Sequence, residues 1–193
     1  MLKFMNLTAQ IKLIPSIEQA QKLLVTLRAF NSAANYAVGE AFRLGCTNKI
    51  ELQKHVYRQV RDQFGLPADM TVRVIAQAVE ALKRDKSILP VFRELAGIPY
   101  SHGKQYGFKG IDRVSMQVAP LGREVMPFVC GAYQKQQLKS QRGQADLVYR
   151  DGQFFLHVTI DFPDVEAKAV SDFIGLDLGI VNIASDSTGE SFS

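Results

Sequence analysis

The residues best suited to chemistry stand in Phe173-Ile174-Gly175-Leu176-Asp177-Leu178-Gly179-Ile180-Val181-Asn182-Ile183-Ala184. The pattern predicts a strand, a tight turn and a second strand. Alternation sets Ile174, Leu176 and Leu178 on one face and Gly175, Asp177 and Gly179 on the other. A carboxylate flanked on its own face by glycines leaves room for a metal ion or a phosphate. The competing reading is an aspartate at the exposed end of a core strand, with the glycines marking bulges. Sixteen residues follow Asp177, and most partners of such a site are expected to be missing from them.

The basic residues form the second chemical signal. The net charge of +4 hides an asymmetry. Residues 1–150 carry 22 lysines and arginines against 11 acids, whereas residues 151–193 carry one against eight. A basic body joined to an acidic segment suits a protein that holds a polyanion in one place and a cation in another. An ordinary solvated surface is the alternative. Lys104, Lys109, Arg113, Arg123, Lys135, Lys139 and Arg142 fall in or near predicted loops. About half of such residues are expected to touch phosphates. Tyr100, Tyr106 and Phe108 interleave with the first two and suit base stacking, or else the core. Asn31 and Asn35 stand one helical turn apart, placed either to read nucleic acid or to line a polar groove.

Alternation at Leu7, Ala9, Ile11 and Leu13 predicts a half-buried strand to position these groups. Ser16 and Gln19 form a capping box. A long helix follows on Ile17, Ala20, Leu23, Leu24, Leu27, Ala34, Val38 and Phe42, closed by Gly45. Asn48 and Glu51 open a second helix on Ile50, Val56, Val60 and Phe64, stopped by Gly65 and Pro67. A third runs from about Asp69 to Lys86 on Val72, Ile75, Val79 and Leu82. From Pro99 the period changes. Residues 100–109 read as a basic loop, 114–118 and 122–129 as strands, 131–143 as a polar connection. Asp151-Gly152 joins 145–150 to 153–162 as a hairpin. Residues 163–172 read as an acidic linker, and Asp186-Ser187-Thr188-Gly189 as a further hairpin turn. The simplest arrangement is an α+β fold: an antiparallel β-barrel closed by its first strand, with a helical insertion after that strand.

With these elements in place, Gly175-Leu-Asp177-Leu-Gly179-Ile-Val-Asn182-Ile-Ala, followed by Asp186-Ser-Thr-Gly-Glu, resembles the first RuvC motif of the TnpB family. These are RNA-guided DNA endonucleases of insertion sequences, related to type V CRISPR effectors. Leu13-Ile14-Pro15 with Glu18-Gln19 and the Asn31–Asn35 stretch is similar to the family's opening strand and helix. Tyr106-Gly-Phe108-Lys109-Gly-Ile-Asp112-Arg113 and Gly143-Gln-Ala-Asp146-Leu-Val-Tyr149 resemble its barrel region. The resemblance implies a first wedge strand over 1–15, a helical recognition insertion over 16–98 and a wedge β-barrel over 99–163. A linker over 164–172 and the start of an RNase H-like RuvC domain over 173–193 complete it. It implies a guide RNA and a target DNA with a short adjacent motif as partners. Asp177 matches the first of three carboxylates that hold magnesium for cleavage. The others, and the family's zinc-ribbon cysteines, have no counterpart in these 193 residues, so the chain is expected to be inactive alone as a nuclease.

Cys46 and Cys130 are single and far apart, which excludes a zinc site built from them. His55, His102 and His157 have no ligand spacing with a cysteine. No run of about 18 apolar residues predicts a membrane span. No signal-peptide block opens the chain, so a cytoplasmic, nucleoid-associated protein is expected. Two other readings remain. One is a non-cleaving nucleic-acid-binding protein or repressor. The other is a phosphotransferase of the actin and sugar-kinase type, whose first hairpin also sets an Asp-x-Gly near a phosphate. About 170 residues before the motif and a basic body argue against the latter.

Overall fold

Ala9, Ile11 and Leu13 share one face of strand β1 (Phe4–Leu13), and all three are buried. The computed structural model describes residues 4–120, 122–163, 175–177, 184–188 and 190–192. Two compact units are present: residues 3–162, and residues 163–193 with residues 1–2. The linker expected over 164–172 lies outside the described residues, as does Asn182 in the first turn of the RuvC-like motif.

In the larger unit, Ser16 caps helix α1 (Ile17–Arg43), with both hydrogen bonds of the capping box formed. Leu23, Leu27, Phe30, Ala34 and Val38 fill its buried stripe. Ile17, in the first turn, leaves that stripe at 84% exposure. Asn48 caps α2 (Lys49–Phe64) through Oδ1, which accepts from the N–H groups of Ile50 and Glu51. Gly65 ends it at φ 62°, a left-handed value that suits glycine. Helix α3 (Ala68–Arg84) buries Met70, Val74, Ile75, Ala78, Val79 and Leu82. These three helices pack on one another, and one hydrophobic cluster runs from them into the sheet. Within it, Thr26 Oγ1 accepts from the Ala119 N–H at 2.9 Å.

The sheet has seven strands: β1, β2 (Ile98–Tyr100), β3 (Tyr106–Lys109), β4 (Arg113–Gln117), β5 (Arg123–Val129), β6 (Gln141–Arg150) and β7 (Gln153–Pro163). Their order is β2-β6-β7-β1-β5-β4-β3. Strand β1 does pair with a later strand, with Lys12 opposite Val129 and Leu13 opposite Phe128. It sits at the centre and joins two three-stranded halves; it does not close a seam. The result is a curled antiparallel half-barrel in place of the expected closed barrel. The two ends of the order, β2 and β3, are only three and four residues long. The β6–β7 hairpin turns at Asp151 (φ 51°) and Gly152 (φ 75°), two left-handed residues in succession as a tight primed turn needs.

Two segments differ from the sequence reading. The expected loop over 100–109 starts on the last residue of β2 and ends in the whole of β3. The expected connection over 131–143 holds a short helix α4 (Ala132–Gln137) and the start of β6. The smaller unit carries β8 (Leu176–Asp177), β9 (Ala184–Asp186) and β10 (Ser191–Phe192) in the order β10-β9-β8, both pairs antiparallel. Among the described residues no helix is long and apolar enough to cross a membrane.

Candidate nucleic-acid interface

Salt bridges divide the cations into those with an acidic partner and those without one among the described residues. Lys22 Nζ lies 2.8 Å from Glu18 Oε1 and 2.7 Å from Glu124 Oε1. Those hydrogen bonds, the one to Glu124 first, raise the Lys22 pKa and hold Glu124 below the usual carboxylate range. Gln19 completes the clamp, donating from Nε2 to Glu124 Oε2 at 3.2 Å and to Val125 O at 3.0 Å. Arg28 pairs with Glu94, Arg43 with Glu40 and Lys54 with Glu51. By contrast Lys104, Lys109, Arg113, Arg123, Lys135 and Lys139 are all exposed, and none joins an ion pair among the described residues.

These six fall into two groups. Lys109 ends β3 directly opposite Arg113, which starts β4. Lys135 on α4 and Lys139 just beyond it line a groove with Gly110 and Ile111 of that hairpin tip. Arg123 stands at the other end of β4, opposite Gln117 and so ~13 Å along the strand. Its Nη1 donates to Lys104 O at 2.7 Å and its Nε to Ser115 Oγ at 3.2 Å, which joins it to Lys104. The Arg142 side chain lies outside the described residues.

The polar and aromatic candidates have structural employment. Tyr100 and Tyr106 are fully buried and offer no ring face to a base. Tyr100 Oη donates to Gln117 O at 2.9 Å and Tyr106 Oη to Gly143 O at 2.8 Å. Burial holds the Tyr100 phenol well above its ordinary pKa. Both belong to the core of the half-barrel. Asn31 is also fully buried; its Nδ2 donates to the carbonyls of Leu27, Glu94 and Ala96. Asn35 Nδ2 donates to Phe92 O at 2.9 Å, and the Phe92 N–H donates back to Asn35 Oδ1 at 2.7 Å. The two asparagines therefore pin the segment that follows α3.

A second groove went unread in the sequence. Arg73, Gln77, Glu80 and Arg84 form one stripe of α3 at i, i+4, i+7 and i+11. That stripe faces Gly97, Pro99, Gln144, Asp146 and His157 across a cleft of about 500 Å³. Asp146 and His157 are direct cross-strand neighbours in β6 and β7. The cleft continues past Arg73 and Ala76 into a second hollow of about 240 Å³, lined by Lys49, Asp69, Ser101, Lys104 and Gln105. Two amide atoms on these walls are buried with no hydrogen-bond partner: the acceptor Gln77 Oε1 and the donor Gln105 Nε2. The cations Lys49, Arg73, Arg84 and Lys104 stand against the acids Asp69, Glu80 and Asp146.

In the smaller unit Asp177 is on β8, opposite Ser185 of β9. The strand pair is locked just before it. The Gly175 N–H donates to Ser187 Oγ at 3.0 Å, and the Ser187 N–H donates to Gly175 O at 2.8 Å. Among the described residues no three His, Cys, Asp or Glu stand together as a metal site would require. No protein-family model and no curated protein matches the chain.

Proposed function

We propose that this chain is a nucleic-acid-binding protein of the TnpB kind. In this reading the half-barrel is the wedge and the three long helices are the recognition insertion, holding a guide RNA and a target DNA. Residues 173–193 are the start of a RuvC-like nuclease domain. The observation that carries the reading is the groove along α3. Arg73 and Arg84, with Lys49 and Lys104 beside them, supply charge for phosphates. Gln77 and Gln105 line the same hollows as Arg73 and add amide side chains to their polar walls. The element order adds support: one strand, a helical unit, the rest of the half-barrel, then a small antiparallel unit carrying Asp177.

Asp177 is the first metal ligand in this reading. Magnesium takes octahedral oxygen coordination, and two-metal hydrolysis needs several carboxylates around the paired ions. One aspartate does not define such a site, so no cleavage step is derived for this chain. The reading is tested by fluorescence anisotropy on a structured RNA and a DNA duplex. Arg73→Ala should weaken both by about tenfold, and Gln77→Leu should alter preference between duplex sequences. Wild-type affinity in both variants would remove the groove from the account.

A further inference from the structure

The hairpin tip and α4 enclose a feature unlike the α3 groove. Phe108, Phe128, Ile111 and Leu138 make an apolar slot of about 280 Å³, with Lys135 and Lys139 on its rim. Phe108 and Phe128 meet edge to face, ring centroids 5.4 Å apart at 76°. Ile111 is 85% exposed on the turn that carries Gly110 at φ 70°. The Phe128 N–H donates to Asp112 O at 2.8 Å, tying that turn to β5. Two further cations, Lys109 and Arg113, flank the turn, with Asp112 its one acid.

We infer that this slot holds one unpaired nucleobase of a single strand, its flanking phosphates taken by Lys135 and Lys139. This rests on the nucleic-acid reading above and goes beyond it by assigning a stacking site. The slot is smaller than the usual small-molecule cavity of roughly 300–1,000 Å³. Its aromatic floor suits a flat ring, which any base supplies. The polar side chains lining it are Lys135 on α4 and Lys139 just beyond its end. The occupant that this lining suits is a flat ring with anionic groups beside it. Lys109 and Arg113, like charges facing each other across the hairpin, extend the same complementarity to the next phosphate.

The test uses the full chain and two labelled probes: an oligouridylate of about 12 nucleotides, and a base-free ribose-phosphate strand of equal length. Affinity is read by anisotropy at one low salt concentration. Wild type should bind the strand with bases about tenfold tighter than the base-free strand. Ile111→Asn changes no charge at an exposed position, and an unchanged melting temperature checks its fold. It should abolish most of that difference and leave base-free binding as it was. Lys135→Gln with Lys139→Gln should weaken both strands together. If both probes bind and Ile111→Asn keeps the full preference for bases, the stacking site is wrong while the nucleic-acid reading stands. If both bind equally to wild type, the groove senses phosphates alone and the inference is overturned. If neither binds even at low salt, the nucleic-acid reading falls with it.

Discussion

Lys109 and Arg113 stand directly opposite each other across the β3–β4 hairpin, two exposed like charges in one cross-strand pair. Such a pair is unfavourable in isolation, by roughly 0.2–1 kcal/mol. Lys109→Gln or Arg113→Gln should therefore hold or slightly raise stability in chemical denaturation. Each should weaken RNA binding and lower its salt slope by about one. Loss of stability in either variant would mean that the pair has a structural partner.

Asn35 and Phe92 exchange two hydrogen bonds, and Asn31 holds the carbonyls of Glu94 and Ala96. Asn35→Ala leaves the Phe92 N–H without its partner and should cost about 1–3 kcal/mol. The segment it pins should loosen first, so trypsin should cut faster at Arg93 in the variant than in wild type. Equal cleavage rates would contradict the pinning role.

Tyr100→Phe and Tyr106→Phe each delete one buried hydrogen bond, to Gln117 O and Gly143 O respectively. Each should cost about 0.5–1.5 kcal/mol of stability with RNA affinity unchanged. A drop in affinity at wild-type stability would return these rings to the interface.

Lys22 and Glu124 set an acid-side dependence. Glu124, hydrogen-bonded first by Lys22 and then by Gln19, holds its proton more weakly folded than unfolded. Its contribution is present above the ordinary glutamate value of about 4.3 and is lost as pH falls through the depressed folded value. Lys22, raised chiefly by Glu124, contributes below the ordinary lysine range and loses it as pH rises through the raised value. Denaturation midpoints measured from neutral to acid pH should fall further in wild type than in Glu124→Gln. Parallel curves would show that the clamp adds nothing.

Much of the local structure was legible because single residues dictate it. Ser16 with Gln19, Asn48 and Gly65 mark helix ends through defined hydrogen bonds or a left-handed backbone, and Asp151-Gly152 marks its hairpin. The short strands β2 and β3 were not legible, since Pro99 and Gly107 interrupt any alternation over three and four residues. Helix α4, Ala-Tyr-Gln-Lys-Gln-Gln, has no apolar stripe to announce it. Tyr100 and Tyr106 stand among loop-like residues, and only the tertiary fold buries them. The α3 groove is assembled from residues about 70 positions apart, such as Arg73 and Gln144. Its one visible sign, the stripe of Arg73, Gln77, Glu80 and Arg84, is what a solvated helix face also shows.

The central claim, a phosphate-binding body over residues 1–150, is tested most directly by salt titration of RNA affinity. Wild type and Arg73→Ala are compared with one structured RNA between about 50 and 200 mM salt. The account predicts a linear fall of log affinity with log salt for wild type, spanning orders of magnitude. It predicts a slope smaller by about one in Arg73→Ala. Affinity that does not change with salt, or no binding at the lowest salt, would contradict it.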